Sequence, residues 1–199
     1  MTRRGAILVV GLVGAALSAA QADEKMAKKP GLSDAALIKA AAAAAPPEIS
    51  KDATYIAVDM EMKPRQLKAG TNGWACLAME MGPKPEVMCL DKAWQAWGDA
   101  YMTKKDPPTP SGVGVAYMLA GDGGASNTDP YAMAATADNQ WVVSGPHLML
   151  LMPDAKALDA YPTDPKTGGP WVMWKGTKYA HVMVPVAAMP KQPAPPKGK

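Results

Sequence analysis

Residues 171–184 read Trp171-Val172-Met173-Trp174-Lys175-Gly176-Thr177-Lys178-Tyr179-Ala180-His181-Val182-Met183-Val184, two largely apolar runs on either side of Gly176-Thr177. A Gly-X pair between strand-like runs suits a type II′ turn. The stretch therefore predicts a hairpin with strands over 171–175 and 178–184. A two-residue loop sets the register: Trp174 faces Tyr179 and Val172 faces His181 on one side of the ribbon. Trp171, Met173, Ala180 and Val182 fall on the other. Short runs of the same kind recur upstream, so the fold class is α+β: a mainly antiparallel sheet with one or two helices in a single domain.

Upstream, 147–152 and 140–144 read as strands divided by Gly145-Pro146, and 113–119 as another. Asp91 offers N-cap chemistry to a helix over 92–103, with Trp94, Trp97 and Tyr101 on one stripe. Asp154 does the same for a short helix ending near 160. Strands over 74–77 and 87–90 flank a loop at 82–85, and Gly70-Thr71-Asn72-Gly73 is a turn. From 54 to 62 the pattern alternates, with Ile56, Val58, Met60 and Met62 on one face and Tyr55, Asp59 and Glu61 on the other. Ser33 and Asp34 open an alanine-rich helix that ends at Pro46-Pro47 and carries little apolar bulk. The expected organisation is a leader with this helix over 23–48, a globular domain over 49–188, and a disordered Pro/Lys tail over 189–199.

The N-terminus carries an export signature. Arg3 and Arg4 precede an apolar run over 6–17, and Ala20-Gln21-Ala22 forms an A-x-A cleavage pattern. This order of charge, apolar core and small residues marks a secretory signal peptide over 1–22, with a mature chain from Asp23. The run is shorter than the roughly 20 apolar residues a membrane span requires. No cysteine follows the cleavage site for lipid attachment, and Arg3-Arg4 lacks the rest of a twin-arginine motif. The expected location is periplasmic or secreted. Both arginines leave with the signal and no acidic residue does, so 19 basic and 18 acidic residues remain, a net charge of +1. Such a chain has no electrostatic footprint for nucleic acid and no membrane span once the signal is removed.

Phe is absent, while Met occurs 15 times and Trp six times, so Met is the expected gap-filler of the core. Cys76 and Cys89 are the two cysteines. In an oxidising compartment a lone pair reads as a disulfide. A metal pair or redox dithiol is the alternative, weakened by a spacing far from C-x-x-C.

Several strings resemble a family of small exported bacterial proteins without assigned function. They are Gly70-Thr71-Asn72-Gly73-Trp74, Cys89-Leu90-Asp91-Lys92-Ala93-Trp94, Ser126-Asn127-Thr128-Asp129-Pro130, Gly145-Pro146-His147 and the stretch 169–185. The resemblance spans about 49–186 and implies no catalytic role.

Chemistry must come from the residues. Both histidines occur as His-x-Met: His147-Leu148-Met149 and His181-Val182-Met183. On a strand, i and i+2 share a face, so each motif points imidazole and thioether the same way, a ligand pair suited to copper. Exported copper chaperones of the cupredoxin-like kind also use His-x-Met. The sequence resembles them at these motifs alone and lacks a spaced Met ligand between them. The competing reading makes His147 and His181 ordinary strand residues beside core Met. A second candidate is an aromatic ligand platform of Trp174 and Tyr179 for a carbohydrate or other small ligand. Buried on both sides, the same hairpin is only structural. Asp122, Ser126, Asn127 and Asp129 supply calcium-type oxygens, but off the EF-hand spacing, and Asx-turns account for them. No G-x-S-x-G, H-E-x-x-H or phosphate-binding glycine loop is present. Ser144 near His147, and Asp59 with Glu61, do not by position alone define a reaction. The expectation is thus a non-enzymatic exported binding protein of unknown ligand, with copper its most specific version. The alternative is an envelope enzyme or sugar-binding module built on the Trp-bearing hairpin.

Overall fold

The computed structural model describes residues 31–194 and residue 196. The signal-peptide reading falls on 1–22, outside the described residues. Helix α1 (Asp34–Ala42) is capped by the Ser33 hydroxyl, which accepts from Ala36 N at 3.3 Å, and a one-turn helix α2 (Pro47–Ser50) follows Pro46. Then come β1 (Thr54–Val58), β2 (Pro64–Lys68), β3 (Ala75–Met79), β4 (Glu86–Leu90) and helix α3 (Lys92–Met102). They are followed by β5 (Gly114–Met118), β6 (Ala125–Ser126), β7 (Trp141–Val142) and β8 (His147–Leu151). Two 3₁₀ segments (Ala155–Ala160 and Pro165–Thr167) lead to β9 (Trp171–Met173) and β10 (His181–Pro185).

Eight strands form one sheet in the order β2-β1-β3-β4-β5-β8-β10-β9, and β6 pairs with β7 apart from it. Neighbours in the large sheet are antiparallel except β1 and β3. The fold is a mixed α+β arrangement with a mostly antiparallel sheet. The parallel pair arises because β2 folds back on one side of β1, and the chain then crosses to start β3 on the other. That crossing passes directly against the start of β1. A Cβ on Gly70 would sit 2.2 Å from backbone atoms of Ala53 and Thr54, which only glycine avoids.

The alternation expected to run through 62 stops at Val58. The Asp59 carboxylate accepts from the backbone N–H groups of Glu61 and Lys63, both at 2.9 Å, and closes a turn in which Met62 is left-handed (φ 60°). Asp59 and Glu61 therefore share no strand face, and Glu61 instead pairs with Lys63. Edge strand β2 is almost entirely exposed and carries Pro64, Arg65 and Lys68, which guard an open edge and hide it from hydropathy.

The two faces of the sheet have different covers. On one, α1 sets Leu37 and Ala41 against Tyr55, Cys76, Val87 and Cys89. The helix expected to lie in a leader is part of the packed unit, so a boundary at 49 does not divide the chain. Its small side chains are what let it approach: the Cys89 Sγ lies 3.7 Å from the Ala41 carbonyl oxygen. On the opposite face, α3 buries Trp94 and Trp97, as its stripe predicts. Asp91 caps α3 through one carboxylate oxygen on Trp94 N (2.9 Å) and ties it to β5 with the other on Val115 N (2.6 Å). Order also continues into the segment expected to be a disordered tail. The Gln192 amide accepts from Val143 N (2.8 Å) and donates to Val143 O (2.9 Å).

Cys76 and Cys89 face each other directly across β3 and β4 and are disulfide-bonded under α1. The bridge closes a segment of sequence separation 13. In the chain-entropy account a loop of this size is worth about 3 kcal/mol. The Cys76→Ala/Cys89→Ala double variant is expected to lose about that much unfolding free energy in urea titrations. Unreduced peptide mapping of the wild type is expected to show the two cysteines linked.

Candidate soft-metal site

β8 and β10 lie side by side with Met183 opposite Met149 and Pro185 opposite His147. One step beyond the Val182–Leu150 pair, His181 stands opposite Leu151. Period-two alternation therefore puts His147, Met149, His181 and Met183 on one face, and it is the face that α3 covers. The Trp94 indole N–H donates to the Met149 carbonyl at 3.1 Å and locks the helix over this pair. All four side chains are buried, His147 at 0% and His181 at 1% exposure.

The imidazoles are held alike. His147 Nδ1 lies 2.7 Å from the Gly145 carbonyl oxygen, and His181 Nδ1 lies 3.0 Å from that of Tyr179. A carbonyl only accepts, so each Nδ1 carries the proton and donates it to the residue two places back. Each Nε2 then bears a bare lone pair. Neither Nε2 has a hydrogen-bond partner, although both are buried. Buried polar atoms are nearly always satisfied, so two such exceptions on one face call for a physical reason. Burial also keeps both rings neutral. It lowers His181 to about 4, and lowers His147 against the opposing pull of its Gly145 hydrogen bond and the Asp122 carboxylate. A neutral imidazole anchored through Nδ1 to a carbonyl is the usual form of a metal-ligating histidine.

The surroundings of the two rings differ. His181 meets Trp94, Trp97 and Trp174 edge to face, at centroid distances of 5.3, 5.9 and 5.0 Å. His147 has the half-buried Asp122 as its charged neighbour. Burial raises the Asp122 carboxyl, while N–H bonds from Ser144 (2.7 Å) and Gly124 (3.0 Å) pull it down.

The hairpin register differs from expectation by one residue. His181 pairs with Met173, and Val182 with Val172. The two-residue turn does not form. Trp174 is left-handed (φ 57°), as is Gly176 (φ 84°), so the chain leaves the strand after Met173 and returns only at His181. This shift is what brings His181 and Met183 to the α3 face together with Trp171 and Met173. Trp174 and Tyr179 are consequently not an exposed platform. Tyr179 is 2% exposed, with its hydroxyl donating to the Lys105 carbonyl, and Trp174 stacks on Trp97 and Tyr101.

The loop oxygens considered for calcium each have a separate task. Ser126 Oγ donates to the Asn139 carbonyl (2.8 Å) and accepts from Asp129 N (2.8 Å), the Ser126 backbone carbonyl accepts from the Trp174 indole (2.6 Å), and Asn127 Oδ1 accepts from the Trp171 indole (3.2 Å). Asp129 accepts from Tyr131 N, and Asp122 holds the turn beside His147. Among the described residues no three His, Cys, Asp or Glu side chains converge as metal ligands. Two open hollows, of about 380 Å³ beside Trp74 and Lys92 and about 340 Å³ beside Arg65 and Glu80, have neither imidazole in their walls.

Sequence reasoning found the four His and Met residues but not the carbonyl anchors, the indole wall or the Asp122 contact. The anchors depend on backbone placement after Gly145-Pro146 and at Tyr179, which no spacing rule encodes. Fold and site together define a mostly antiparallel α+β protein with a buried imidazole–thioether face. No family model, curated protein or solved structure matches the chain.

The unfolded chain protonates imidazole near the ordinary value of about 6.5, whereas folded His181 does so only at about 4. The unfolded state therefore takes up protons first on acidification. The stability linked to neutral His181 is complete above about pH 6.5 and is lost as pH falls towards 4, by roughly 3 kcal/mol. Denaturation of metal-free protein between about pH 7 and about pH 4 is expected to show His181→Gln lacking this part of the wild-type loss. Equal pH slopes for the two proteins would contradict it.

Proposed function

We propose that this chain is an exported, non-enzymatic binding protein for a soft metal ion, Cu(I), held by imidazole and thioether groups of the β8–β10 face. The observation that carries the proposal is the pair of buried, unpartnered Nε2 atoms on the face where Met149 and Met183 stand opposite each other. Thioether sulfur with neutral imidazole selects copper over calcium or magnesium, and two or three such ligands satisfy Cu(I). Neutrality at pH 7 adds to this, since no proton has to be displaced from His181. Export is supported by the charge, apolar and A-x-A order of residues 1–22 and by the Cys76–Cys89 disulfide, which accords with an oxidising compartment.

The test is an anaerobic competition titration against a chromophoric Cu(I) chelator. The wild-type protein is expected to draw copper from the chelator. Met149→Leu/Met183→Leu preserves core volume, costing under about 1.5 kcal/mol per site, so it should stay folded while its Cu(I) affinity falls at least tenfold. Failure of the folded wild type to take up copper would overturn the proposal.

A further inference from the structure

Resting on that reading, we infer that the face holds two copper stations rather than one centre: His147 with Met149, and His181 with Met183. The register carries the inference. The two His-x-Met motifs run antiparallel as neighbours and are related by a local two-fold that passes between the paired Met149 and Met183. The histidines therefore stand at opposite ends of the row. His147 faces Pro185 and His181 lies level with Leu151, four residues apart along the strands. At about 3.3 Å per residue this is about 13 Å. Each ring is also tied to a carbonyl two residues back, on the side away from the Met149–Met183 pair, and metal–nitrogen bonds are only about 2 Å, so although His147 and His181 feel each other electrostatically, the register assigns each ring its own ion. Each imidazole does have a thioether two residues away on its own strand, about 7 Å along the backbone. That separation lets the side chains close on a shared ion.

The stations also carry separate supports. Each ring has its own carbonyl anchor, on Gly145 or Tyr179. The His181 station is walled by Trp94, Trp97 and Trp174, whose ring faces attract a cation without adding negative charge. The His147 station instead has the Asp122 carboxylate bonded to Ser144 N, one residue before the Gly145 anchor. Three indoles meet the His181 ring, whereas on the other strand Trp94 touches the Met149 backbone carbonyl rather than the His147 ring, so copper at the His181 station is the one packed most closely among indoles.

Anaerobic Cu(I) titration of the full mature chain, read by bound-copper count and by tryptophan fluorescence, tests this. Two equivalents are expected, and the one at His181 quenches the indole emission more strongly than the other. His181→Ala should bind one equivalent with most of the quenching lost, and His147→Ala one equivalent with most of it kept. Met183→Leu and Met149→Leu, which spare core volume, should weaken the same respective equivalents at least tenfold and serve if an alanine variant fails to fold. A single equivalent in the wild type, or loss of all binding on either histidine substitution, would overturn the two-station arrangement while leaving copper binding itself intact. No uptake by the wild type would overturn both.

Discussion

The pairing of β8 with β10 in the register that sets Met149 against Met183 is the constraint on which most of the molecule turns. A slip of one residue would carry both histidines and both methionines to the other face of the sheet. It would also bring Leu148, Leu150, Val182 and Val184 under α3, where Trp94 and Trp97 are shaped around the present set. The register is held from several sides. Trp94 reaches down to the Met149 carbonyl, β5 pairs along β8, and β9 closes the far edge with its Val172 N–H on the Pro162 carbonyl. Leaving two ring nitrogens unpartnered within this layer costs about 1–3 kcal/mol for each.

Aromatic side chains supply much of the scaffold around that layer. With no Phe in the chain, every ring is a Trp or Tyr and brings a polar end that must be satisfied. The structure uses those ends as ties to backbone and turn. Trp171 and Trp174 hang from Asn127 and Ser126, Tyr55 donates to the Ser50 carbonyl, and Tyr101 donates to that of Pro130. The Ser126-Asn127-Thr128-Asp129-Pro130 string and the 169–177 stretch are thus two halves of one contact. Its product is the placement of Trp174 against His181. The left-handed backbone at Trp174 belongs to the same arrangement, since an extended Trp174 would continue the strand and leave the His181 wall open.

Local signals in the sequence carried over well wherever the physics was local. The caps at Ser33 and Asp91, the stripe of Trp94, Trp97 and Tyr101, and the shared face within each His-x-Met motif all depend on a few neighbouring residues. What stayed hidden depended on tertiary context. β2 carries no apolar alternation because it is an exposed edge. The β1–β3 parallel pair depends on a crossing that only Gly70 permits. The docking of α1 was masked because alanine signals propensity rather than packing, and here small size is what packs. The hairpin register lies one residue from what Gly176-Thr177 suggests, because the Trp174 indole is drawn out of the strand by the Ser126 carbonyl. The four candidate ligands could therefore be named from spacing, but not the anchors that orient them.

The central claim is that both imidazoles present a bare Nε2 to the face they share with Met149 and Met183. Long-range proton–nitrogen NMR of the histidine rings, recorded on metal-free protein near neutral pH and again after Cu(I) is added, tests it most directly. The account predicts neutral rings protonated at Nδ1 for both His147 and His181, followed by large shifts confined to the two Nε2 signals on copper binding. Rings protonated at Nε2, or Nε2 signals unchanged by copper, would contradict it.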